Sequence, residues 1–140
     1  MNDCCDNSSS ADCCCARGDV LLLACSGGSN VGQLTNEAAK ALDQLGIGSF
    51  SCLIGIGAEL PSFIAKAKAD DMTVVLLDGC PTACGQAALG KLKLEADVYL
   101  DVTTLGIAKT HNLIVSRDEV ALVAGAVAEM LKKLDKAEVK

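Results

Sequence analysis

From Val20 onward, short unbroken apolar runs alternate with longer stretches in which apolar residues recur every three or four positions. Val20 to Ala24, about Ile47 to Cys52, and Thr73 to Leu77 have the length and continuity of strands buried on both faces. Val98, Leu100 and Val102 alternate with other residues and predict a fourth strand nearer a sheet edge. After the first strand, Ser29 or Asn30 opens a helix whose stripe is Leu34, Ala38, Ala41, Leu42 and Leu45, and Gly46 ends it. Leu53-Ile54-Gly55-Ile56-Gly57 reads as a flexible turn, followed by a helix with Pro61 near its start and Leu60, Phe63, Ile64 and Ala67 on one face. Pro81 starts a short helix stopped at Gly90, and Thr103 to Ile114 is an irregular return. The last helix opens at Ser116-Arg117-Asp118-Glu119, a capping-box spacing, and buries Val120, Val123, Ala124, Val127, Met130, Leu131 and Leu134.

Strands alternating with helices predict βαβ units. The expected fold is α/β: a three-layer sandwich with a mainly parallel sheet of about four strands in flavodoxin-like order, forming a single domain over residues 19–140. Residues 1–18 are polar and contain Cys4, Cys5, Cys13, Cys14 and Cys15, which reads as a disordered thiol-rich tail. Of the 140 residues 51% are apolar and only 2% aromatic, so the core should be aliphatic. A formal charge of -6 and the lack of aromatic platforms argue against nucleic acid as a partner. No segment approaches the roughly 18 consecutive apolar residues of a membrane span. Asp3 and Asp6 stand where a secretory signal needs basic and then apolar residues, so the expected location is cytoplasmic. In that reducing setting nine cysteines read as ligands or reactive thiols rather than disulfides.

Four of them, Cys25, Cys52, Cys80 and Cys84, follow the apolar runs directly. Parallel strands end on one edge of the sheet, where ligands of open α/β folds bind, and neighbouring strands lie about 4.8 Å apart. Separate parts of the chain should therefore bring these thiols together. Cys80 and Cys84, four apart at a helix start, would have Cβ atoms roughly 5 to 6 Å apart, which suits a bridging ion better than a disulfide. Free N–H groups at helix starts after Cys25 and Cys80 would favour their thiolates. The reading is one zinc ion held by Cys25, Cys52, Cys80 and Cys84, with iron or an iron–sulfur cluster as an alternative filling.

The segments Cys25-Ser26-Gly27-Gly28-Ser29-Asn30-Val31-Gly32, Ser51-Cys52, Asp78-Gly79-Cys80-Pro81 with Cys84, Thr104-Leu105-Gly106 and Lys109-Thr110-His111 resemble the DGC-domain family, named after the tripeptide at 78–80. The resemblance runs from about Val20 to the last helix. It implies chelation of zinc by the four cysteines and no established reaction; separately, the glycine-rich loops around the site could let one ligand depart, which predicts metal sensing or trafficking. The five tail cysteines inherit nothing from it.

Other residues compete for a role. His111, the only histidine, and Lys109 lie in the return and are candidates for an accessory ligand, proton relay or anion site. Asp78 reads first as a cap of the local turn and only then as a base, and Asn30 first as a helix cap and then as a substrate contact. A cysteine-dependent enzyme is the alternative class, by thiol redox through Cys80 and Cys84 or phosphocysteine chemistry on Cys25. The loop after Cys25 resembles a phosphatase nucleophile loop, yet Val31 stands where an arginine would clamp the dianion. Neither a Walker lysine nor a complete Gly-x-Gly-x-x-Gly supports nucleotide binding.

Overall fold

The computed structural model describes residues 20–138; the expected tail and its cysteines lie outside the described residues. Strands β1 (Val20–Ala24), β2 (Ser49–Phe50), β3 (Thr73–Asp78) and β4 (Val98–Asp101) form one sheet in the order β2-β1-β3-β4, with every pairing parallel. Helices α1 (Asn30–Gln44) and α5 (Arg117–Glu138) cover one face. Helices α2 (Leu53–Gly57), α3 (Pro61–Ala67) and α4 (Cys84–Lys91) cover the other, completing the three layers.

Strand alternation assigns each core residue to a face. Leu22, Ala24, Val75 and Leu77 pack towards α1 and α5, while Leu21, Leu23, Val74 and Leu76 pack towards α2 to α4. Each buried leucine contributes about 1.5–3 kcal/mol relative to an exposed one, and a sheet covered on both sides gains this at every position. Local signals end the elements where the sequence places them. Ser29 caps α1 by accepting the Gly32 N–H at 3.2 Å. At its far end Gly46 takes φ +77°. The Gly46 and Ile47 N–H groups close onto the Asp43 and Leu42 carbonyls, a Schellman arrangement. The α5 capping box is reciprocal: Glu119 N–H donates to Ser116 Oγ at 3.2 Å, and Ser116 N–H to Glu119 Oε2 at 3.1 Å.

Several expectations need correction: Leu45 ends α1 exposed instead of buried in its stripe, and Val102 falls in the turn after β4. The second strand shrinks from Ile47–Cys52 to Ser49–Phe50. Ile47 is used in ending α1. Gly48 lies so near Val20 and Leu22 that a Cβ would stand 2.9 Å from each side chain. The glycine-rich stretch after it is helix α2 rather than a turn, because its apolar residues find a partner: Ile56 is buried between helix and sheet. Helix α4 starts at Cys84 instead of Pro81, since Ala83 adopts a left-handed conformation (φ 53°, ψ 45°) that interrupts the chain between them.

At the edge where β1 and β3 end, two backbones touch. A Cβ on Gly79 would stand 2.8 Å from the Gly32 nitrogen and 2.9 Å from the Val31 carbonyl carbon. Neither neighbour is a flexible side chain, so the clash has no easy relief. Gly79→Ala is expected to lower stability by about 1–3 kcal/mol. Gly125→Ala, in the exposed middle of α5 with nothing near the added methyl, should raise it by about 0.8–1 kcal/mol. Urea unfolding of the two variants checks both signs.

Candidate functional site

Cys25 leaves β1 with its N–H still paired to the Leu77 carbonyl at 3.0 Å, so the sheet ladder fixes its backbone. Its Sγ accepts the Gly79 N–H at 3.3 Å and lies 3.7 Å from Thr35 Oγ1. Past the end of the strand, its sulfur thus meets α1 at Thr35 and the exit of β3 at Gly79. Cys52 is the residue preceding α2 and Cys84 the first residue of α4, and both are exposed. Cys25, Cys52 and Cys84 line one cavity of about 540 Å³, with Phe50, Leu53 and Ala88 forming apolar wall and Asn36 and Ser51 adding polar atoms. Three chain segments thus deliver three thiols to one space, at the strand exits where the order of β1, β2 and β3 reverses direction.

Cys80 does not line that cavity. It packs against the core beneath α1 and α5, where Leu105 and Ile107 also lie. Its Sγ is 3.4 Å from Thr82 Oγ1 and accepts from Lys109 Nζ at 3.4 Å. The Thr82 hydroxyl and then its backbone N–H hold the Cys80 pKa below the ordinary thiol value; burial opposes them, and the Lys109 ammonium adds a smaller lowering. The expected cause was a helix start at Cys80; the actual cause is this turn and a lysine from the return. The helical spacing of Cys80 and Cys84 is likewise absent, because the left-handed Ala83 separates them. Among the described residues, no three His, Cys, Asp or Glu side chains stand close enough together to hold one ion.

The remaining candidates have clear placements. Asp78, 1% exposed, accepts the Gly85 N–H at 2.8 Å and the Gln86 N–H at 3.1 Å, and so caps α4 across the Cys80–Ala83 turn. Beside it the Tyr99 phenol is pushed up to about 12, by burial first and then by the Asp78 carboxylate. Asn30 is neither a side-chain cap nor exposed to a substrate. Its Nδ2 donates to the Ala108 carbonyl at 2.8 Å and its Oδ1 accepts the Thr110 N–H at 2.6 Å, while its own N–H donates to the Thr110 carbonyl at 3.1 Å. These bonds bracket Lys109. His111, next along, is exposed and does not line the cavity.

The loop after Cys25 is poorly suited to cradling phosphate, because several of its N–H groups are already engaged. Ser26 donates to Thr35 Oγ1, Ser29 to the Gly27 carbonyl, Asn30 to Thr110 and Gly32 to Ser29 Oγ. Thr35 is the functional neighbour that sequence reasoning missed. It is fully buried, donates to the Gly32 carbonyl at 2.7 Å and sits against Cys25. Its position one residue after Leu34 on the inner helix stripe was a readable signal, since a polar residue there needs a local partner. Phe50 and Ala88 carried no signal beyond ordinary core character.

Fold and site together define a parallel α/β domain with reduced cysteines gathered at the carboxyl edge of its sheet. The chain belongs to the DGC-domain family, whose model matches residues 21–127. It is also similar to the anaerobic and virulence modulator AnvM of Pseudomonas aeruginosa, 33% identical over 91 residues that cover 65% of this chain and 69% of the relative. No solved structure matches it.

Asn30→Ala removes both side-chain bonds to the return. The expected result is a loss of about 1–3 kcal/mol, with hydrogen exchange at the Thr110 amide accelerated more than at amides of the β1–β3 ladder. Residue-resolved exchange measurements check this; unchanged protection at Thr110 would contradict the clamp.

Proposed function

We propose that the protein is a thiolate metal-binding protein that takes zinc in the cavity between the exits of β1 and β2 and helix α4, with Cys25, Cys52 and Cys84 as ligands. The observation that carries this reading is the convergence of these three thiols, from distant segments, on one cavity. The donor set suits zinc, which combines thiolates with an open position in sites that are not purely structural. The thiols surround the cavity instead of meeting at a point. Binding therefore includes closure, and the chain's own features support that. Cys25 is anchored by the sheet, whereas Cys52 follows a two-residue strand and Cys84 heads an eight-residue helix, both with exposed thiols. Bound zinc would supply Lewis acidity and lock the three segments together. The protein's part is to present the thiols, exclude competing cations from the apolar wall and keep Cys80 apart.

Cys80 stands outside this set because Lys109 already occupies its sulfur, and a second cation beside that ammonium would be repelled. Ordering of three segments by one ion fits metal sensing or trafficking in a reducing compartment such as the cytoplasm, where thiols stay reduced. Among the described residues no helix is long and apolar enough to cross a membrane. The relative's name, an anaerobic and virulence modulator, is compatible with a regulatory rather than a metabolic role for a metal-dependent switch.

The test is zinc stoichiometry of the reduced full-length chain, by native mass spectrometry under anaerobic conditions. Cys25→Ser, Cys52→Ser and Cys84→Ser are each expected to lose one zinc equivalent or weaken its binding by tenfold or more, about 1.4 kcal/mol. Cys80→Ser should keep it. Equal retention in all four variants, or loss confined to Cys80→Ser, would refute the assignment.

A further inference from the structure

Cys80, Lys109 and Thr82 form a second cluster that the metal reading leaves unused. We propose that it is a reactive thiol site that undergoes thiol–disulfide exchange with small anionic disulfides. The inference goes beyond the zinc assignment and does not require it.

The geometry is built from two distant segments. Thr82 comes from the turn after β3, 3.4 Å from the sulfur, and Lys109 from the return, with Nζ also at 3.4 Å. A surface lysine would ordinarily wander. Here the backbone on either side of Lys109 is held to the start of α1 by Asn30, which is buried. The ammonium is thus delivered from a fixed base. The other charged and titratable groups around the sulfur are the Tyr99 phenol on β4 and, beside that phenol, Asp78 and Asp101. Asp78 is committed to capping α4, and Asp101 accepts the Thr103 N–H at 2.9 Å and the Thr103 hydroxyl at 2.6 Å. That leaves Lys109 as the cation directed at the sulfur, which is a setting for a nucleophilic thiolate and for an incoming carboxylate.

Exchange at this site balances without a further reagent. The Cys80 thiolate attacks one sulfur of R–S–S–R, and a bond forms between the two as the original S–S bond breaks. The bonding pair leaves on the second sulfur as RS⁻, which takes a proton from water or from Lys109. Cys80 is oxidised to a mixed disulfide and the incoming disulfide is reduced to one thiol. Lys109 and Thr82 stabilise the attacking thiolate, and Lys109 also draws the anionic reagent to it.

The experiment uses the reduced full-length chain, zinc-loaded and metal-free, with oxidised glutathione as probe and peptide mapping to follow each cysteine. Cys80 should be modified ahead of the exposed Cys52 and Cys84 in the metal-free protein. Each unit by which a thiol's pKa rises costs about tenfold in thiolate and returns roughly threefold in nucleophilicity. Lys109→Met is expected to slow Cys80, to shift its pH–rate profile upward, and to flatten its salt dependence. Lys109→Arg should restore the rate, and uncharged hydroxyethyl disulfide should show a smaller loss in Lys109→Met. Modification of Cys52 or Cys84 as fast as Cys80, or a Lys109→Met rate equal to that of the parent, would overturn the proposal. Failure of the zinc reading looks different: zinc would then give no protection to Cys25, Cys52 and Cys84, while Cys80 kept its rate and its dependence on Lys109.

Discussion

The carboxyl edge of the sheet is organised by a backbone contact, Gly79 against the first turn of α1. With no side chain at 79, the exit of β3 lies close enough for the Gly79 N–H to reach Cys25 Sγ at the exit of β1. Strand alternation gives the neighbours of Gly79 their work. Asp78 falls on the face of α4, whose first N–H groups it caps, and Gly79 falls on the face of α1, where only a missing Cβ fits. Cys80 follows once the strand has ended, and the turn carries it to the core side of α1 and α5. The Asp-Gly-Cys tripeptide is thus a helix cap, a close approach and a thiol in consecutive positions, each serving a different layer of the sandwich.

The thiols at this edge differ in their surroundings. The cavity around Cys25, Cys52 and Cys84 lies at the strand exits, lined by Phe50, Leu53 and Ala88 and by Asn36 of α1, with no basic residue among the described residues that line it. Cys80, packed against the core beneath α1 and α5, meets an ammonium group at 3.4 Å. In the proposed zinc reading, thiols gathered without a neighbouring cation are the ones a soft metal ion would take. A single thiolate already paired with lysine has little to gain from a metal and is primed to attack an electrophile.

Much of this was legible in the sequence because its signals are local. The apolar runs of β1 and β3, the Ser29 cap, the glycine at 46 and the Ser116–Glu119 box depend on residues within a turn or a strand of one another, and they appear where the pattern puts them. The parallel order also follows, since right-handed crossovers restrict the choice. What could not be read depends on partners far along the chain or on an unusual backbone. Alanine gives no hint of a left-handed conformation, so the break at Ala83 that separates Cys80 from Cys84 was invisible. The role of Asn30 rests on residues 78 and 80 positions away. Likewise, α2 looked like a turn because glycines dominate its sequence, and only the burial of Ile56 against the sheet makes it a helix.

The unequal anchoring of the three cavity thiols bears on how such a site would behave. Cys25 is held by the β1–β3 ladder, by the Gly79 amide and by its proximity to Thr35, and moving it means disturbing the core. Cys52 sits between a two-residue strand and a five-residue helix, and that short strand shares a single ladder with β1. Helices that short draw little stability from their own hydrogen bonds and depend on packing, so the segment is the one able to yield. A ligand set with fixed members and an adjustable Cys52 would lose part of its binding free energy to ordering, because a segment free before binding is fixed after it. The loss weakens retention, and it also makes the conformation around α2 report whether the cavity is filled. In the proposed zinc reading, the shortness of β2 is what would let the Cys52 segment yield when the cavity fills.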